Sequence, residues 1–300
     1  MPRGRGAEDR QAHGGHQPPG QGAVPSRELT KLDLARHYER VAEVMLPYVS
    51  GHPLALQGFP GGIERPGFFM KAVPPHFPDW IARETLAKRG GTVTHALAEE
   101  AATLVYLAGQ NAITPHLWLS RADRPREPDR LTLDFDPSEG GFADVRAAAR
   151  EAGARLRDAG LATYAMVTGS RGIHVICPLR RGPSFGEAHT FARGIAEEMV
   201  RDDPGRLTLE FKKTDRGTKI YVDVNRNNYA QHAVAPYAVR PRPKAPVAVP
   251  LVWEELSDRK LKPDHWTVKT IGDRMGAVGD PWKGMARHAR TLPVKALADA

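Results

Sequence analysis

The segment Leu131-Thr132-Leu133-Asp134-Phe135-Asp136-Pro137 constrains the fold of this chain more than any other. Apolar and polar residues alternate along it, and successive side chains of a strand point to opposite faces. Read as a strand, it turns Leu133 and Phe135 into a core and holds Asp134 and Asp136 together on the other face. Pro137 cannot extend a hydrogen-bonded ladder, so it ends the strand and leaves the two acids at a rim.

Two carboxylates roughly 7 Å apart on one strand face repel each other unless a cation stands between them. Hard divalent ions such as Mg²⁺ or Mn²⁺ prefer oxygen ligands of this kind. An acidic strand face that is merely solvated explains the pair equally well. A second strand, Ile220-Tyr221-Val222-Asp223-Val224-Asn225, repeats the pattern. Ile220, Val222 and Val224 form its apolar face, and Asp223 lies opposite with Tyr221 and Asn225. If the two strands are neighbours, three carboxylates converge, which is what two metal ions around a phosphoryl group require. An unrelated exposed aspartate is the plain alternative.

Between these strands lies Thr168-Gly169-Ser170-Arg171-Gly172-Ile173-His174. The two glycines permit a tight turn and close approach of a ligand. Hydroxyls, exposed amides, an arginine and a histidine together suit a triphosphate. A hairpin turn with no function needs the glycines but not Ser170, Arg171 and His174.

Elsewhere the pattern is mixed. Residues 1–26 are rich in Gly, Pro and Gln and poor in aliphatic side chains, so a disordered, mildly basic tail is expected there. A native N-terminus is expected there rather than a designed boundary. Order is expected from Ser26 onward, beginning with a helix on Leu32, Leu34, Tyr38, Val41 and Met45 that Gly51-His52-Pro53 ends. PLALQGFPGG reads as a short strand and turn, and FFMKAVPPHFPDW as an aromatic, proline-rich surface segment. Residues 95–110 read as helical, with Pro115 closing that region. Helices are expected near 142–159 and 185–201, strands in TYAMVTGSRGIHVICPL, and two more in LTLEFKKTDRGTKIYVDVN. PYAVRPRPKAPVAVPLVWEEL is too rich in proline for a helix and is expected to wrap over the sheet. Strands interleaved with helices predict a mixed α/β or α+β core.

Composition removes several classes of function. No run approaches the roughly 18 consecutive apolar residues of a membrane-spanning helix, and no apolar run follows the N-terminal arginines to make a secretory signal. Cys177 is the single cysteine, which excludes an intramolecular disulfide and any multi-cysteine zinc site. A reducing cytoplasm is the expected compartment. The formal net charge of +8 suits a polyanionic partner, because each phosphate neutralised releases counterions.

DFDP, TGSRGIHV and YVDVNRN, in this order and spacing, resemble the three active-site motifs of the archaeo-eukaryotic primase superfamily. More narrowly, the chain resembles the polymerase (primase-polymerase) domain of bacterial end-joining ligase D. The likeness runs from TKLDLARHY through GFFMKAVPPHFPDW and ITPHLWL to VAPYAVRPRP and WEEL. It implies a primase-like catalytic core of β-sheets flanked by helices, with the active site in a cleft between the sheets. The domain would span residues 27–282, with a C-terminal tail from 283 to 300.

The same resemblance implies roles for single residues. Asp134, Asp136 and Asp223 match the metal-binding carboxylates, with Mn²⁺ or Mg²⁺ as a pair of ions. His116, Thr168, Ser170, Arg171, His174, Arg216 and Arg240 match positions that grip the incoming nucleotide, and Arg226 falls beside them. Phe68 and Phe69 match an aromatic pair against the template base, in keeping with base–aromatic stacking. Lys31 falls where a lysine holds the 5′-phosphate of a broken end, and Lys71 joins the expected DNA contacts. Implied partners are DNA with 5′-phosphorylated ends or gaps, NTPs or dNTPs, and Ku with a DNA ligase, at the nucleoid. Ribonucleotides and Mn²⁺ would be favoured.

The chain departs from the family pattern at four places. Thr168 and Arg171 replace the serine and lysine of the usual S-G-S-K-G motif, and Arg is not a neutral swap for Lys at a phosphate. Arg226 stands where glutamine is common, and Gln57 where a basic residue is. No K-x-D-G nucleophile motif for ligation occurs in the sequence, nor a G-x-x-x-x-G-K-[ST] loop. Whether the chain is a stand-alone polymerase or one domain of a longer protein stays open. A metal-dependent nuclease and a non-catalytic DNA-end-binding module are the rival functions, since paired carboxylates also serve phosphodiester hydrolysis.

Overall fold

Thr30 starts the first helix by accepting a hydrogen bond from the Asp33 amide at 3.2 Å, while the Asp33 carboxylate accepts from the Thr30 amide at 2.8 Å. This reciprocal cap satisfies two amides that the helix itself leaves unpaired. The computed structural model describes residues 30–139 and 141–293. The tail expected over 1–26 and the last residues, 294–300, lie outside them.

Helix α1 (Lys31–Val49) buries Leu34, Tyr38, Val41, Met45 and Val49, a stripe at helical spacing. It packs against α2 (Ala101–Gly109). The first sheet comprises β1 (Leu54–Gly58), β2 (Phe68–Met70), β5 (Ala112–Trp118) and β11 (His232–Val234), in the order β11-β5-β1-β2. A separate hairpin of β3 (Arg83–Lys88) and β4 (Gly91–Ala96) stands beside it. The second sheet contains β6 (Arg130–Pro137), β7 (Tyr164–Val167), β8 (Ile173–Pro178), β9 (Leu207–Thr208), β10 (Ile220–Asp223) and β12 (Val249–Leu251), in the order β12-β7-β8-β6-β10-β9. Helices α3 (Phe142–Asp158) and α4 (Phe185–Asp202) pack on each other and against β6. A short α5 (Ile271–Val278) follows the proline-rich segment. This is the expected mixed fold of sheets flanked by helices.

Strand β6 occupies the middle of the six-stranded sheet, between β8 and β10. Leu131, Leu133 and Phe135 are fully buried, which anchors the register against the helices behind. A slip of one residue would turn Thr132, Asp134 and Asp136 into the core in their place.

The structure differs from the sequence expectations in several places. Pro115 lies inside β5 rather than closing the region before it. Its carbonyl accepts from the Ala235 amide at 3.1 Å, one residue past the end of β11. The amide hydrogen that proline lacks would point the same way, to where β11 has already ended, so the cost is small. Residues 95 and 96 belong to β4, and the helix starts only at Ala101. The proline-rich segment adds β12 at one edge of the sheet, paired with β7, and buries Val247, Val249 and Leu251. Residues after 282 also pack on the fold. Met285 and Leu292 are buried, and Arg290 bridges Leu179.

Candidate active site

Cross-strand register builds the site. Asp134 on β6 is paired directly with His174 on β8 and with Asp223 on β10. Paired residues share a face of the sheet, so one histidine and two aspartates stand in a row, with Asp136 two residues further along β6. The three carboxylates expected from the sequence therefore share one face of the sheet, with Asp134 and Asp136 at the cleft and Asp223 behind its lining. Asp134 and Asp223 are 7% exposed, too little for a merely solvated acidic face.

The opposite wall comes from the four-stranded sheet. Gln57 pairs with Phe69 and with Thr114, and His116 pairs with Val234. The two walls enclose a cleft of about 340 Å³ lined by Gln57, Phe69, His116 and His232 on one side and Asp134, Asp136, Thr168 and His174 on the other. Ser170, Arg171, Arg226, Arg240 and Arg242 add polar lining, and Ala233 and Val234 the rest. Its size suits a small charged ligand.

The turn between β7 and β8 depends on its glycines. Gly169 has φ of +65°, and a β-carbon there would come within 2.7 Å of the Val247 carbonyl carbon. A β-carbon on Gly172 would collide with the Phe135 carbonyl oxygen. The Thr168 hydroxyl is spent inside the turn, bonded to the carbonyl and the amide of Gly172 at 3.2 Å each. Ser170 and Arg171 are left facing the cleft.

Basic side chains thread the carboxylates. Arg226 Nε is 3.3 Å from Asp134 Oδ2, and its Nη2 is 3.3 Å from Asp223 Oδ2. His174 Nε2 lies 3.4 Å from Asp134 Oδ2, and Arg171 Nη2 lies 3.6 Å from Asp136 Oδ1. Burial works to raise the Asp134 carboxyl, but His174 and Arg226 outweigh it and hold it below the usual carboxylate range. Asp136 moves the other way, raised by burial and then by the charge on Asp134. Burial, helped by Arg240 and His232, pushes His116 well below its ordinary value, and burial pushes His232 down to about 4. Both rings are neutral at pH 7.

Asp134 and Asp136 fit the demands of a hard divalent ion, being adjacent oxygen donors on one strand face at an open cleft. The Asp134–Asp223 side is filled by the Arg226 guanidinium. Among the described residues, no group of three His, Cys, Asp or Glu side chains stands close enough to hold a metal as placed.

Five expected site residues, Asp223, Arg216, Lys31, Phe68 and Lys71, stand apart from the cleft lining. Arg216 is buried, bonded to the carbonyls of Glu210 at 2.8 Å and Phe211 at 2.6 Å, with its guanidinium over the Tyr221 ring at 3.8 Å. Lys31 opens α1, half-buried, and is absent from the lining. Phe68 and Phe69 are 51% and 45% exposed, but as strand neighbours they face opposite sides. Only Phe69 meets the cleft, with its ring centroid 5.1 Å from His116 and 5.0 Å from His232. Lys71 is exposed just beyond it.

His232 and Arg242 line the site but went unnoticed in the sequence. Arg242 stands two residues after Arg240, and that spacing was the available signal. A lone histidine before an apolar segment carried none.

Comparison with known proteins agrees with this geometry. The family described as LigD, primase-polymerase domain matches residues 30–282. The multifunctional non-homologous end joining DNA repair protein LigD of Mycobacterium tuberculosis is 34% identical over 247 residues, covering 79% of this chain and 32% of that protein. The bifunctional non-homologous end joining protein LigD of Bacillus subtilis is 28% identical over 275 residues, covering 89% of this chain and 43% of its own length. The chain thus spans about a third to two fifths of the curated relatives it matches. A solved structure, the polymerase domain from Mycobacterium tuberculosis ligase D in complex with DNA, superposes with a TM-score of 0.81 at 31% identity, covering 87% of this chain and 93% of that one. On motif order, cleft geometry and these matches, the chain belongs to the LigD primase-polymerase domain family.

Proposed function

We propose that this protein extends DNA 3′-ends at breaks and gaps, acting as the nucleotidyltransferase of non-homologous end joining. The observation that carries the reading is the row His174–Asp134–Asp223, set across three adjacent strands beside a phosphate-suited turn. The primer 3′-oxygen would attack the α-phosphorus of a bound triphosphate, and pyrophosphate would leave.

Asp134, Asp136 and Asp223 would hold Mn²⁺ or Mg²⁺, two ions in all. Bound there, the metal supplies activation of the 3′-hydroxyl and neutralisation of charge on the phosphates. The chain's own groups orient the reactants. Arg171, Arg240 and Arg242 surround the phosphate side of the cleft, and Ser170 offers a hydroxyl. Arg240 is itself held by a bond to the Thr168 carbonyl at 2.9 Å, so its charge is aimed before the ligand arrives. Fixed donors of this kind contribute through alignment and through electrostatic stabilisation. His116 and His232, on the facing wall of the cleft, would contact the bound nucleotide. Ribonucleotides are the proposed preference, with Mn²⁺ as the favoured ion.

Phe69 and Lys71 would meet the template, and Lys31 the 5′-phosphate. The proposed partners are DNA, Ku and a DNA ligase, at the nucleoid. No helix among the described residues is long and apolar enough to cross a membrane.

A primer-extension assay on gapped, 5′-phosphorylated DNA, with both nucleotide types and both metals, tests the reading. Asp134→Asn should abolish nucleotide addition and leave DNA binding largely intact. Wild-type-like extension by that variant overturns the assignment. Shortening of the labelled primer by the wild-type protein points instead to a nuclease.

A further inference from the structure

Arg226 stands where an ion shared by Asp134 and Asp223 would have to bind. Its two nitrogens reach one oxygen of each carboxylate at 3.3 Å. The second oxygen of Asp223 already accepts from the Tyr221 hydroxyl at 3.2 Å and the Asn225 amide at 2.9 Å. Both oxygens of Asp223 are therefore engaged while Arg226 is in place.

The position of Arg226 is built into the backbone. It lies in the middle of the 3-10 turn Asn225–Asn227. The fully buried Asn227 side chain accepts from the Thr132 amide at 2.8 Å and donates to the Thr132 carbonyl at 2.7 Å. Thr132 is two residues before Asp134 on β6, so the turn carrying Arg226 is clamped to the strand carrying its partner. The guanidinium nevertheless keeps a path to the cleft, with its side chain one-third exposed.

Building on the polymerase reading, we propose that Arg226 is a tethered placeholder for the ion shared by Asp134 and Asp223. It holds the two carboxylates until a nucleoside triphosphate binds, then gives them up to the incoming ion and pairs with the phosphates.

Electrostatics favours a coupled exchange over a stepwise one. An ion entering without a triphosphate would leave an unpaired guanidinium beside a dication, and close like charges repel strongly in a partly buried site. A triphosphate offers that guanidinium charge-assisted, bidentate hydrogen bonds. Entry of the ion and of the triphosphate therefore favour each other, and such coupling is reciprocal. The Asp134–Asp136 position, where Arg171 stands off at 3.6 Å, needs no such exchange.

Mn²⁺ binding tests this directly, by calorimetry and by the electron paramagnetic resonance signal of the free ion. Wild type, Arg226→Gln and Arg226→Lys are titrated with and without a non-hydrolysable triphosphate analogue. Wild type should bind one Mn²⁺ per chain alone and a second with the analogue. Arg226→Gln should bind two without it, or bind the second at least about tenfold more tightly than wild type does, within the usual range of coupling between sites. Arg226→Lys keeps a charge that cannot span both carboxylates, so it should fall between; it replaces the glutamine variant if melting in chelator shows that one unfolded. Wild type binding two ions equally well with and without analogue overturns the proposal, as does unchanged second-site affinity in the folded variant. No Mn²⁺ bound by wild type even with analogue would instead overturn the metal-dependent polymerase reading.

Discussion

Asp134 and Asp223 face each other as direct antiparallel partners, buried in the middle of the six-stranded sheet. The β-carbons of such a pair stand roughly 4.5–5.5 Å apart, and like charges there destabilise a sheet. Arg226 answers both at once. Its removal should strand two facing carboxylates. In chelator, Arg226→Ala is expected to cost about 2 kcal/mol in urea denaturation, less than a fully buried pair because the arginine is partly exposed. Adding Asp223→Asn to that variant should restore much of the loss. A double variant no more stable than the single one would sink the electrostatic explanation.

His174 aims the central carboxylate. It is the cross-strand partner of Asp134, and its Nε2 lies 3.4 Å from Oδ2. Groups that orient a metal ligand typically contribute about 10–100-fold to metal affinity. His174→Ala should weaken Mn²⁺ binding by that order while the fold survives, as read by calorimetry and circular dichroism. His174→Asn, which keeps a donor, should lose less. Equal affinity in His174→Ala and wild type would remove the histidine from this role.

The glycine turn makes a prediction about stability and site together. At Gly169 the left-handed φ and the nearby Val247 backbone both oppose a side chain. Gly169→Ala is expected to cost about 1–3 kcal/mol, the usual range for strain of this type. It should also raise the KM for nucleotide, because Ser170 and Arg171 ride on the same turn. An alanine variant with wild-type stability would show that the turn has room to relax.

Much of this site was legible because it is local. The alternation in LTLDFDP and IYVDVN set the faces of Asp134, Asp136 and Asp223, and the spacing of Gly169 and Gly172 marked the turn. The sequence could not show what fills the space between strands. Arg226 and Arg216 looked alike as phosphate-seeking charges, yet one bridges two carboxylates and the other is absorbed by backbone carbonyls and the Tyr221 ring. The β3–β4 hairpin stayed hidden because most of its side chains are exposed on both faces, which leaves no clean alternation to read. Pro115 hid β5, since only the early end of β11 makes a proline tolerable there.

The two exposed phenylalanines should separate in a binding assay. Phe69 faces the cleft against His116 and His232, whereas Phe68 packs over Gly58, whose β-carbon would stand 3.3 Å from its ring. Stacking of a base on an aromatic side chain contributes roughly 1–3 kcal/mol. Phe69→Ala should weaken binding of a gapped duplex with an unpaired template base by about that amount, measured by fluorescence anisotropy. Phe68→Ala should cost distinctly less. The reverse order would mean that the template approaches from the other face of β2.

Acid sensitivity follows from a histidine remote in sequence from the motifs. His37 on α1 is 1% exposed and bonds the Tyr237 carbonyl through Nε2 at 2.9 Å. Its other ring nitrogen has no hydrogen-bond partner. Burial first, and the Arg40 charge further, push the ring down to about 4 against the Tyr237 contact. The folded state therefore binds fewer protons than the unfolded one between that value and the ordinary 6.5. Stability is whole above pH 6.5 and is lost as the pH falls towards 4. Between pH 7.5 and 5 the loss from this group is about 2 kcal/mol, at 1.36 kcal/mol for each unit below 6.5. Similarly depressed His116 and His232 add to the same slope. His37→Gln keeps a donor for the Tyr237 carbonyl but cannot titrate, so its unfolding free energy should fall less steeply over this range. Parallel pH profiles for the variant and wild type would rule out His37 as a source of the slope.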